Sequence, residues 1–238
     1  MDIPNILLND RYDDRYFDAV DALSEAKRIH IGNARVIERI GETVSGGGGV
    51  GQKKVFRIGE TGFGPGRLLV ALLDSLAAGL VRNAAIDYNT VEMHPVPVER
   101  MERILSIFEA RAAPHIRSAV DAYSRMDVAS PGFHTAAICG AYGVVNLNLY
   151  VGEAAEMVES LAAPCAAWFL DGHAPKKNPD IWRPELMSAI GRKTEPGGTV
   201  TAFTVAGSVR RALSAAGFSV KKVEGCGGKK EALFAAFL

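Results

Sequence analysis

The chain has 238 residues, with 27 Lys or Arg balanced by 27 Asp or Glu, and 48% of its residues are hydrophobic. This is the composition of an ordinary folded chain long enough to bury its own core, which excludes a disordered or collagen-like protein. Zero net charge removes global electrostatics as an argument for nucleic acid; with no apolar run of about 18 residues, and with acids at Asp10, Asp13 and Asp14 where a leader would be basic then apolar, a soluble, cytoplasmic protein without membrane association is expected.

Residues 1–44 read as an N-terminal decoration, in which Arg28-Ile29-His30-Ile31 alternates like an edge strand and Asn33 stands where it would cap a short helix over 34–40. Residues 45–52, dominated by glycine, read as a flexible connector. Over 53–238, short apolar runs alternate with helix-period segments, the pattern of a parallel sheet with crossover helices. The predicted order begins with strand 53–58, helix 67–78 and strand 84–91. An insertion at about 95–143 follows, with helices over 96–111 and 114–125 and the first strand, 135–139, of a hairpin completed by 144–151. Helix 154–162, strand 166–170, helix 183–192, strand 199–204 and helix 207–216 come next, and the chain closes with strands 219–224 and 232–237. Those last two are joined without a helix and are therefore antiparallel to each other.

Gly59-Glu60-Thr61-Gly62-Phe63-Gly64-Pro65-Gly66 falls between a strand and a helix, where glycines let the backbone turn sharply and approach a ligand closely. Such a turn serves NAD, FAD or S-adenosylmethionine, or is purely structural. The spacing of Gly62, Gly64 and Gly66 differs from the G-x-G-x-x-G that cradles a pyrophosphate, and a carboxylate at Glu60 suits the sulfonium and amino cations of S-adenosylmethionine better. Glu92 ends the next strand, either accepting hydrogen bonds from both ribose hydroxyls or standing as a solvated acid. Gly152-Glu153 follows strand 144–151, either beside an adenine ring or as the first-turn acid of a helix. Trp168-Phe169-Leu170 delivers Asp171 to the carboxyl end of a buried strand, where an unpartnered carboxylate is costly, and Pro175 and Pro179 stiffen the loop beyond it. Asp171 is accordingly the candidate catalytic residue. Cys139, Cys165 and Cys226 lack C-x-x-C spacing and His94 has no partner at metal-ligand spacing, so no metal site is expected.

The run from Trp168 to Trp182, Glu195-Pro196-Gly197-Gly198-Thr199, residues 203–211, and the closing Gly217-Phe218 through Lys229-Lys230-Glu231 resemble the methyltransferase half of the bacterial tRNA 5-methylaminomethyl-2-thiouridine enzymes, the MnmC family. Asp13-Asp14-x-Tyr16-Phe17 and residues 60–64 resemble the same family, so the likeness covers nearly the whole chain. It implies an α/β, Rossmann-like S-adenosylmethionine-dependent methyltransferase fold, whose mostly parallel sheet closes with an antiparallel hairpin. It also implies S-adenosylmethionine as cofactor, held by Glu60, Thr61, Gly62, Phe63, Gly64, Gly66, Glu92, Gly152, Glu153 and Asp171. The implied reaction converts 5-aminomethyl-(2-thio)uridine to 5-methylaminomethyl-(2-thio)uridine at the wobble position of the tRNA anticodon loop. Larger members carry an FAD-dependent oxidase domain, which is expected to be absent here, so that separate enzymes would supply the aminomethyl group. Substrate contacts are assigned to His173, Lys176, Lys177, Trp182, Lys229 and Lys230; the lysines either meet phosphates or form a solvated face, and Trp182 either stacks a flipped base or packs internally. Pro65, Met93, Glu153 and His173 stand where the family usually has Thr, Lys, Asp and Phe. The same scaffold also serves methylation of small molecules or proteins, or RNA binding without catalysis.

Overall fold

The computed structural model describes residues 6–17, 21–46, 54–227 and 230–238. Eight strands form the central sheet: β3 (Phe56–Glu60), β4 (Ala84–Glu92), β5 (Gly132–Gly140), β6 (Gly143–Val151), β7 (Cys165–Leu170), β8 (Thr194–Ala202), β9 (Phe218–Glu224) and β10 (Glu231–Phe237). A short antiparallel pair precedes them, β1 (Leu8–Asn9) with β2 (Asp14–Arg15). The sheet order is β5-β6-β4-β3-β7-β8-β10-β9. The strands β6, β4, β3, β7 and β8 are parallel, while β5 and the β10-β9 pair run antiparallel to their neighbours. The mostly parallel sheet closing on an antiparallel pair is the expected fold class, and β10 lies inside the pair, between β8 and β9.

Helices cover both faces, which is why the central strands carry unbroken apolar runs. All six residues of β7 are buried; Ala167 and Phe169 join the larger hydrophobic cluster, and Trp168 and Leu170 join the second, because successive side chains point to opposite faces. The larger cluster takes residues from α1 (Ala22–Ala26), α2 (Val36–Ser45), α3 (Arg67–Ala78), α4 (Val98–Leu105) and α5 (Glu109–Ser124). The second takes residues from α6 (Ala154–Ser160), α7 (Pro184–Arg192) and α8 (Gly207–Ala215). Leu7, Phe17, Leu23, Val36 and Ile40, all ahead of the glycine run, belong to the larger cluster. No helix of the described residues is long and apolar enough to cross a membrane.

Two expectations ahead of the glycine run are corrected. Residues 28–31 are not a strand but lie in a π-helical turn, Lys27–Gly32, that continues α1. Ile29, His30 and Ile31 are all buried, and three consecutive inward residues fit a helix surrounded by its core rather than a half-exposed strand. Asn33 does not cap the start of a helix but closes the π-helical turn, its N–H donating to Arg28 O, and α2 begins at Val36 after Arg35, whose φ is 50°. Two further boundaries moved. The insertion breaks at a 3-10 turn, Ser106–Phe108, and Pro114 is accommodated within α5 by a non-helical Ala112, where the proline ring and missing N–H disturb the preceding turn. Strand β8 starts at Thr194, ahead of Pro196-Gly197-Gly198, because a register shift against β7 lets those residues bulge from the ladder.

Candidate active site

The carboxyl ends of β3, β4 and β7 meet at one edge of the sheet, and the loops leaving them are stitched to each other. Beyond β3, the Thr61 N–H donates to Phe169 O at 3.2 Å and its hydroxyl donates to Asp171 O at 3.0 Å. Gly62 lies so close to the β7 loop that a Cβ there would stand 2.7 Å from the Asp171 carbonyl oxygen, which only glycine permits. The Phe63 N–H donates to Val91 O at 2.9 Å, and Gly64, at φ 51°, donates its N–H to Glu92 Oε2 at 2.8 Å. The other oxygen of Glu92 accepts the His94 N–H at 2.9 Å. Between these loops opens a cleft of about 920 Å³, mouth included, walled by Thr61, Gly62, Phe63, Gly64, Glu92, Gly152, Asp171 and His173 among others.

Asp171 does not stand alone. Its Oδ2 accepts from an Arg67 guanidinium nitrogen at 2.9 Å, and its Oδ1 accepts the Gly172 N–H at 3.0 Å. Arg67 opens α3, is itself buried, donates to Ala22 O at 3.2 Å, and lies over the rings of Phe17 and Phe203 at 5.4 and 5.0 Å. Sequence reasoning passed over Arg67. The available signal was a lone cation at the head of Arg67-Leu68-Leu69-Val70-Ala71-Leu72-Leu73, a helix too apolar to expose it, because a buried guanidinium requires a partner.

Glu60, Gly66 and Glu153 are not brought to the cleft wall. Glu60 is 1% exposed and accepts the Thr90 hydroxyl at 2.6 Å beneath the loop. Burial pushes its pKa up to about 8, so it is protonated and uncharged at neutral pH. Gly66 caps the start of α3, and Glu153 turns outward to Arg183 at 3.3 Å. The buried acid leaves a measurable trace. A carboxyl with a raised folded-state pKa binds its proton more tightly when folded, so its contribution is fully present below pH 4.5 and drains away as the pH climbs to about 8. Glu60→Gln mimics the protonated form and flattens that slope, worth at most on the order of 5 kcal/mol. Urea midpoints measured across this pH window test it, and an unchanged slope in the variant contradicts the neutral buried acid.

A family model described as S-adenosyl-L-methionine-dependent methyltransferase matches residues 118–237. The chain belongs to the S-adenosyl-L-methionine-dependent methyltransferase family. It is 35% identical over 230 residues to the tRNA 5-methylaminomethyl-2-thiouridine biosynthesis bifunctional protein MnmC of Ectopseudomonas mendocina, covering 97% of this chain and 33% of that protein. The protein of the same name from Caulobacter vibrioides is 34% identical over 93% of this chain and 35% of its own length. The chain thus spans about a third of the length of the curated relatives it matches. Among solved structures, MnmC2 from Aquifex aeolicus superposes with a TM-score of 0.70 at 20% identity, covering 96% of this chain and 65% of that one, a likeness of fold.

The cleft of this methyltransferase fits its cofactor. Three carboxylates, Glu92, Asp171 and Asp180, face one guanidinium, Arg67, across the wall, an acidic balance suited to a ligand bearing sulfonium and ammonium charges. Gly62 leaves open the approach that a Cβ would fill.

A second cleft, about 2160 Å³ with its mouth, adjoins the first and shares Tyr16, Phe17, Arg67, Asp171 and Gly172 with it. Trp182 and Lys230 line this second cleft, and the Trp182 indole N–H donates to His173 O at 2.9 Å. Lys176 is exposed, and Lys177 pairs with Asp13 at 2.6 Å. Lys229 lies outside the described residues. His173 lines the first cleft beneath the β1-β2 turn: Nε2 is 2.9 Å from the Asn9 amide nitrogen, Nδ1 is 3.5 Å from Asp14, and Tyr12 packs on the ring at 4.5 Å. Burial holds the imidazole below its usual pKa and so neutral at neutral pH. Asn9, Tyr12 and Tyr16 thus roof the first cleft, a place that the motif at 13–17 signalled only as a resemblance.

Proposed function

We propose that this chain methylates the exocyclic amine of 5-aminomethyl-(2-thio)uridine at the tRNA wobble position, in the cytoplasm. The observation that carries this reading is Asp171 in the wall common to two clefts, one suited to the cofactor and the other wide enough for a nucleoside. The curated relatives, named for this tRNA modification, match along almost the whole chain.

Thr61, Gly62, Phe63, Gly64, Gly152 and Glu92 would hold S-adenosylmethionine, with Glu92 offering its carboxylate to the ribose hydroxyls besides the N–H groups of Gly64, His94 and Met93. Bound there, the cofactor supplies a methyl group on a positively charged sulfur. Asp171 accepts an N–H of the acceptor amine, aims its lone pair, and stabilises the positive charge that grows on nitrogen as the new bond forms. The amine must arrive neutral; an alkylammonium of pKa about 10.4 costs about 4.6 kcal/mol to deprotonate at pH 7. Lys230 and Phe203 border the acceptor side, where they meet phosphate and base, while Trp182 is buried in the second hydrophobic cluster and packs internally. Nucleoside mass spectrometry of tRNA from cells lacking the protein tests the reading: 5-aminomethyl-uridine accumulates, whereas an unchanged nucleoside profile overturns the tRNA assignment.

A further inference from the structure

Arg67 and Asp171 stand between the two clefts, and both residues line each of them. A bare carboxylate is an awkward neighbour for a methyl acceptor: it raises the pKa of an adjacent amine and keeps it as ammonium, the form without a lone pair. Here the carboxylate is already compensated. The guanidinium bonds Oδ2 from within the core, pinned by Ala22 O and by the Phe17 and Phe203 rings, so it cannot swing out into solvent. Among the described residues Oδ1 takes only the Gly172 N–H, and a carboxylate offers about four acceptor positions, so lone pairs remain for an incoming N–H. Stability does not account for the pair, since buried ion pairs are often no better than the apolar residues that would replace them.

We propose that Arg67 is an electrostatic positioning residue of the methyl-transfer site, whose guanidinium offsets part of the field of Asp171, enough for the acceptor amine to be held as the free base while the carboxylate still accepts its hydrogen bond and favours the charge that grows on nitrogen. This rests on the amine-acceptor reading above. The surroundings leave the pair in command of the local field at neutral pH. Glu60 beneath it on β3 is protonated, Tyr88 on β4 is pushed further towards its neutral form by burial, and His173 is uncharged. Around the second cleft Asp13, Asp14, Glu25 and Glu231 are set against Arg15 and Lys230. On the cofactor side stand Glu92 and Asp180.

The test is the pH dependence of single-turnover methyl transfer, at saturating cofactor, to an anticodon stem-loop RNA carrying 5-aminomethyl-uridine. In Arg67→Met the rising limb moves to higher pH by about one unit or more, so the rate falls about tenfold at pH 7 and recovers in alkali, while Arg67→Lys keeps the limb of the parent. A loss equal at every pH, with the limb unmoved, overturns the proposal and leaves a packing role. Should Arg67→Met fail to fold, the parent protein answers alone. Saturated with S-adenosylhomocysteine and titrated with the same RNA in two buffers of different ionisation enthalpy at pH 7, it releases protons on binding; no exchange, or uptake, overturns the proposal. Absence of any turnover by the parent protein on this RNA refutes the acceptor reading itself, and the role of Arg67 with it.

Discussion

In single-turnover methyl transfer at saturating cofactor, Asp171→Asn lowers the rate by about 10²–10³-fold and changes cofactor affinity by less than about threefold. Asparagine keeps the shape of the side chain and one carbonyl acceptor, so the contact with Arg67 and the approach of the acceptor N–H survive in weakened form. It loses the negative charge, whose value is greatest when positive charge develops on nitrogen, and an interaction made chiefly in the transition state appears in the rate rather than in ground-state binding. A second consequence is structural. Arg67 has 6% side-chain exposure and Asp171 19%, so the variant strands a guanidinium in the core, and breaking such a pair outright generally costs about 3–5 kcal/mol. The retained carbonyl reduces that penalty. A thermal melt recorded with each rate measurement separates loss of fold from loss of chemistry, and equal losses in rate and in cofactor affinity would refute the role assigned to Asp171.

Gly64→Val weakens cofactor binding by about 10²-fold or more, read by calorimetry. At φ 51° a β-branched residue is strained by about 1–2 kcal/mol, and a Cβ at this position would meet the Tyr16 ring of the roof at 3.4 Å. Relieving the backbone strain moves the N–H that engages Glu92, so the loop and the candidate ribose acceptor are displaced together. Gly62→Ala makes an instructive contrast. Its added carbon, 2.7 Å from the Asp171 carbonyl oxygen, pushes the β3 and β7 loops apart, so binding and turnover fall together. Unchanged affinity in Gly64→Val would contradict the placement of the cofactor.

Much of the fold was legible because burial on both faces leaves a pattern that survives in one dimension. The run Cys165–Leu170 is apolar throughout because both of its faces are covered, and α3 could be bounded at Arg67 and Ala78 because a glycine stands at each end. The Arg28–Ile31 alternation misled because four residues fit a strand period by accident, while their true environment, a helix enclosed by its neighbours, has no short-range signature. In the site, Gly62, Gly64, Glu92 and Asp171 were visible through their positions at strand ends. Arg67 was not, since its partner lies 104 residues away.

By itself the sequence determined the alternation of strands and helices, the antiparallel close of the sheet and the carboxylate at the tip of β7, because each follows from local periodicity and connection length. Only the tertiary structure decided that Glu60 is a buried neutral acid, that the β1-β2 turn roofs the cleft and that a guanidinium balances Asp171. Charge state and pairing depend on which groups the packed sheet brings within a few ångströms of each other and how far it removes them from water, and neither quantity is a property of neighbours along the chain.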